Sequence, residues 1–79
     1  MKSKEQEQLD RLLDAKASTA EQKTALAWLA DYMEESYILN LPISKSVTQA
    51  LVTFSKRRKV DTVLIERSKR LLKKYHSPG

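Results

Sequence analysis

Three carboxylates in the first half of the chain have a spacing that could serve acid–base or metal chemistry. Asp31 lies one helical turn before Glu34 and Glu35, close enough for the three side chains to share a proton or a metal ion. A di-metal site in a helical bundle would add histidine ligands, and the single histidine is His76, beside the C terminus. A general base so near the chain end is not held within reach of a substrate. We therefore predict no enzymatic activity, no cofactor and no metal, and we interpret the three carboxylates as a solvated face or as ion-pair partners of basic residues.

Basic residues are concentrated in the second half of the chain. Residues 1–38 carry five basic and eight acidic side chains and residues 39–79 carry ten and two, so their formal net charges are −3 and +8. The basic side chains cluster at Lys56, Arg57, Arg58 and Lys59 and again at Arg67, Lys69, Arg70, Lys73 and Lys74. Such clusters attract anionic partners and neutralise phosphates. They are equally typical of a helix C terminus followed by a solvated helix face.

Sequence-specific DNA recognition lacks its usual signs. The junction at Arg58, Lys59 and Val60 has no glycine of the kind found in a helix-turn-helix. No alternating strand precedes two helices, as a ribbon-reading dimer would require. Trp28, Tyr32, Tyr37 and Phe54 fall at helical spacings, which favours core positions over stacking platforms for bases.

Length and composition predict one small helical domain. The chain has 79 residues, no cysteine, one glycine and two prolines, which favours long helices joined by short connections in a reducing compartment. The longest apolar run, residues 25–30, is far too short to span a bilayer, and the N terminus lacks the apolar stretch of a secretory signal. We expect a single cytoplasmic domain over residues 1–79, with disordered tails at residues 1–4 and 76–79.

Apolar residues recur with helical periodicity in four segments. The inner faces are predicted to contain Leu9, Leu12 and Leu13; Leu26, Leu29, Ala30, Met33 and Tyr37; Ile43, Val47, Ala50, Leu51 and Phe54; and Leu64, Ser68, Leu71, Leu72 and Tyr75. Ala25, Trp28 and Tyr32 widen the second stripe, which is typical of a central helix. The sequence thus predicts an all-α fold, a small antiparallel four-helix bundle.

Local signals mark where these helices begin. Ser18 and Glu21 have the spacing of a capping box, and Asp61 is a suitable N-cap for the last helix. Asn40 is predicted to cap the third helix, with Pro42 in its first turn. The strand propensity of residues 60–65 is overridden, because a lone strand would have no partner and the helical spacing continues beyond it.

The segment Leu39, Asn40, Ile43 and Ser44 resembles a motif that enters the third helix of class IIa (pediocin-like) bacteriocin immunity proteins. The layout of residues 20–75, with a last helix opening at Asp61, is similar to that family as well. These proteins are short, often cationic, cytoplasmic four-helix bundles that protect the producing bacterium.

The resemblance implies a stoichiometric binding function. The implied partner is the mannose phosphotransferase permease, contacted from its cytoplasmic side, so that the protein would be peripheral to the inner face of the membrane. The C-terminal part would set which bacteriocin is countered. We therefore assign partner binding to Arg67, Arg70, Lys73, Lys74 and Tyr75, and we add the clustered Arg57 and Arg58. The alternative function is that of a small nucleic-acid-binding regulator of phage or plasmid type. The last helix, with one apolar and one basic face, would also suit an interfacial role at a membrane.

Overall fold

Four helices make up the part of the chain that the structure describes. The structure is a computed structural model, and it describes residues 3–75. The helices are α1 (Lys4–Leu13), α2 (Thr19–Ile38), α3 (Lys45–Ser55) and α4 (Thr62–Tyr75), and residues 3–75 contain no strand. The predicted all-α four-helix bundle is confirmed, including a helix where residues 60–65 have strand propensity.

The helices pack in a ring and not around a central helix. α1 packs against α2 and α3, and α4 packs against the same two neighbours. The expectation that α2 is central was wrong: α2 is the longest helix, but its main neighbours are α1 and α4. The centre is filled by one apolar cluster drawn from all four helices, comprising Leu9, Leu12, Ala25, Leu26, Leu29, Met33, Val47, Ala50, Leu51, Phe54, Leu64 and Leu71.

A side-chain oxygen satisfies a free backbone N–H at the start of every helix. Ser18 and Glu21 form the predicted capping box, with Glu21 N donating to Ser18 Oγ at 3.2 Å and Ser18 N donating to Glu21 Oε1 at 3.4 Å. The predicted cap of α4 is also present, because Val63 N donates to Asp61 Oδ1 at 2.9 Å.

The caps of α1 and α3 were not predicted. Ser3 Oγ accepts from Gln6 N at 3.1 Å, so Ser3 and Lys4 belong to the start of α1 and not to the tail expected over residues 1–4. Ser44 Oγ accepts from Ser46 N at 3.2 Å and begins α3. The rest of that N-terminal tail and the tail expected over residues 76–79, which includes His76, lie outside the described residues.

Asn40 ends α2 and does not begin α3, which corrects our prediction. Its φ of 57° is left-handed, a conformation that asparagine tolerates better than most residues. Asn40 N donates to Tyr37 O at 3.2 Å and Leu41 N donates to Ser36 O at 2.8 Å, the two bonds of a Schellman motif. Pro42 therefore lies in the connection ahead of α3 and not in its first turn.

Candidate interaction surfaces

Four cations form an exposed basic face on α4, which we define as Arg67, Arg70, Lys73 and Lys74. Leu64, Ser68 and Leu71 of the same helix are buried, so the helical period turns the four cations away from the core. No Lys or Arg of this face forms an ion pair with a carboxylate among residues 3–75. Within the described residues, the basic face is therefore exposed and free of ion pairs.

The remaining predicted binding residues have different environments. Arg58 is exposed in the connection between α3 and α4. Arg57 is half-buried, and its guanidinium donates a hydrogen bond to the carbonyl oxygen of Leu13 at the end of α1. Tyr75 is half-buried against the core. Its ring contacts the ring of Tyr37 edge-on, with 5.7 Å between the ring centres. Arg57 and Tyr75 thus help to hold the bundle together. Arg58, in contrast, lies exposed in the connection between α3 and α4.

Trp28 and Tyr32 act within the fold. Their rings stack, with 5.8 Å between the ring centres and 6° between the ring planes. Both side chains are half-buried against the core. The Tyr32 hydroxyl accepts a hydrogen bond from Ser44 N at 3.3 Å, which ties α2 to the start of α3. This pair therefore packs against the core, as the helical spacing predicted.

An apolar surface surrounds the C-terminal end of α2, and we call Tyr37, Ile38, Leu39 and Leu41 the α2-end surface. These side chains are 67%, 71%, 58% and 56% exposed, respectively, although they are large and apolar. Three open depressions around the helix end share Leu39 or Leu41 in their linings, so the surface is continuous. Clustered exposed apolar side chains are typical of an interaction site, whereas single ones are not.

The α2-end surface was missed by the sequence analysis, and Tyr37 was wrongly assigned to the buried stripe. Ser36 is the buried residue in the last turn of α2. A signal was nevertheless present: Tyr37, Ile38, Leu39, Leu41 and Pro42 place five apolar residues at a helix end and its connection, where polar residues are usual.

The three carboxylates form one edge of this apolar surface. Asp31, Glu34 and Glu35 are exposed and line a depression of about 260 Å³ together with Ile38 and Leu39. Among residues 3–75, no group of three or more His, Cys, Asp or Glu side chains is arranged to hold a metal ion. The carboxylates and the apolar side chains beside them form one surface of acidic and apolar character.

A chain of contacts connects the α2-end surface with the basic face of α4. Lys74 Nζ lies 5.1 Å from the centre of the Tyr75 ring, a cation–π distance, and Tyr75 meets Tyr37. One end of the bundle therefore presents apolar side chains and cations side by side. Within residues 3–75, no helix is both long and apolar enough to cross a membrane.

Comparison with known proteins identifies no relative. No family model matches the chain, and no characterised protein or solved structure matches it significantly.

Proposed function

We propose that the protein is a non-enzymatic, stoichiometric binding protein that acts through the basic face of α4. The observation that carries this proposal is the position of Arg67, Arg70, Lys73 and Lys74 on a helix whose opposite side is buried. These cations are exposed and form no ion pair within residues 3–75. Solvated cations alone would serve solubility. Their connection to an exposed apolar surface through Tyr75 and Tyr37 favours a macromolecular partner.

The specific role that we propose is that of a cytoplasmic bacteriocin immunity protein. Its support is the motif at Leu39, Asn40, Ile43 and Ser44, together with the all-α four-helix bundle, which is the fold that the resemblance implies. The proposed partner is a membrane permease complex, contacted at the inner face of the membrane. An apolar surface beside cations suits such a partner better than it suits a nucleic acid, because protein–nucleic-acid interfaces are more polar and more strongly basic than protein–protein interfaces.

Expression of the full chain in a bacterium sensitive to a class IIa bacteriocin tests this role. We expect growth at bacteriocin concentrations that kill cells carrying an empty vector. The purified protein should leave arbitrary duplex DNA unretarded at low salt, where electrostatic binding to phosphates is strongest. Absence of protection against a panel of such bacteriocins would contradict the immunity role. Salt-sensitive retardation of DNA would instead support the nucleic-acid-binding regulator.

A further inference from the structure

The outer face of α2 combines exposed carboxylates with exposed apolar side chains. Asp31, Glu34 and Glu35 form no ion pair with a Lys or Arg of residues 3–75, and Ile38 lies among them, 71% exposed. A surface of this composition is complementary to a helix that displays cations around an apolar side chain.

The same chain carries such a helix face on α4. Val63 is 63% exposed, although valine is apolar. Arg67, Arg70 and Lys74 follow it at i+4, i+7 and i+11, so all four residues lie in one stripe on the outer side of α4. This stripe, which we call the Val63 stripe, shares three cations with the basic face.

The two faces do not meet within one chain. α2 and α4 are neighbours whose Tyr37 and Tyr75 rings contact each other, while the carboxylates and the Val63 stripe both face solvent. Each face would find its complement on the corresponding helix of a second copy. A two-fold axis would form both contacts at once, because α2 of each copy would meet α4 of the other.

We propose that the protein forms a homodimer in which the acidic, apolar outer face of α2 packs against the Val63 stripe of the second copy. Dimerisation covers part of the basic face, so the dimer and the partner of the proposed function compete for Arg67, Arg70 and Lys74. The dimer itself does not depend on what that partner is. The net charge of +5 opposes association, and the contact is therefore expected in the weak, transient class.

A charge exchange between two variants tests the dimer. The acidic face is reversed in Asp31→Lys/Glu34→Lys/Glu35→Lys, and the stripe is reversed in Arg67→Glu/Arg70→Glu/Lys74→Glu. Each variant alone should be monomeric in sedimentation equilibrium, because like charges then meet at both contacts. An equimolar mixture should form a mixed dimer in native mass spectrometry, since opposite charges face each other again at both contacts. The wild-type chain should dimerise as its concentration rises and dissociate as salt is added.

Two controls separate this contact from net charge and from misfolding. Lys16→Glu/Lys23→Glu/Lys45→Glu carries the same net charge as the reversed stripe but alters exposed lysines elsewhere, and it should form no mixed dimer with the acidic-face variant. Ile38→Asn changes no charge. It removes an isoleucine that the dimer contact would bury, so it should raise the dimer dissociation constant about tenfold. Circular dichroism verifies that each variant is folded. A wild-type chain that stays monomeric at about 1 mM, or a charge-exchanged mixture without mixed dimer, would overturn the proposal.

Discussion

The guanidinium of Arg57 donates a hydrogen bond to the carbonyl oxygen of Leu13, 44 residues earlier in the chain. Leu13 is the last residue of α1, where backbone carbonyls have no partner within the helix. Arg57 lies two residues beyond the end of α3, in the connection to α4. One side chain thus supplies a helix-end hydrogen bond and ties the α1–α2 pair of helices to the α3–α4 pair.

We predict that Arg57→Met lowers the free energy of unfolding by about 1.5–3 kcal/mol, because methionine keeps the length of the side chain but removes the charged donor. The matched control is Arg58→Met, which alters an exposed neighbour and should change stability by less than about 0.5 kcal/mol. Urea denaturation of both variants measures the difference. Equal stabilities would show that the bond to Leu13 contributes nothing.

Phe54 is the largest fully buried side chain of the described residues. Phe54→Ala should cost about 3–5 kcal/mol, since the substitution removes apolar contact and leaves a cavity. A domain this small has a total stability in the same range, so we expect the variant to be largely unfolded at about 37 °C by circular dichroism. Leu41→Ala, at an exposed apolar position, is the control and should melt like the wild type. A Phe54→Ala variant with an unchanged melting temperature would contradict the described core.

Asn40 offers a test of the helix end that the sequence analysis had assigned differently. Its left-handed φ of 57° predicts that Asn40→Ala destabilises the fold by about 1 kcal/mol, whereas Asn40→Gly is slightly stabilising. If Asn40 were the N-cap of α3, alanine would again be costly, but through loss of a side-chain acceptor, and glycine would not improve on asparagine. Thermal melting of the two variants distinguishes these cases, and a glycine variant less stable than the alanine variant would contradict the Schellman motif.

The features that could be predicted from the sequence are those that depend on a few neighbouring residues. The capping box at Ser18 and Glu21 and the cap at Asp61 each depend on side chains that reach a backbone N–H two or three residues away. Helical periodicity likewise located the buried residues of α3, because a 3.6-residue repeat fixes the direction of a helix face.

Features that depend on distant parts of the chain could not be predicted in this way. Periodicity gives the direction of an apolar face but not the point where neighbouring helices stop covering it, so Tyr37 was placed in the core although it is 67% exposed. Charge type alone does not show whether a guanidinium meets solvent or a carbonyl oxygen, so Arg57 was assigned to partner binding. The helical spacing did predict correctly that the binding residues on the outer side of α4 are exposed. These residues are Arg67, Arg70, Lys73 and Lys74.

The protection conferred by a variant of the basic face tests the proposed function most directly. Arg67, Arg70, Lys73 and Lys74 are replaced by glutamine, and the control replaces four exposed lysines elsewhere, Lys4, Lys16, Lys23 and Lys45, which removes the same net charge. Both variants should melt close to the wild-type temperature, since exposed substitutions cost little. We predict that bacteriocin protection in sensitive cells is lost with the basic-face variant and kept with the control. Full protection by the folded basic-face variant would contradict the account and would direct attention to the α2-end surface and its carboxylates.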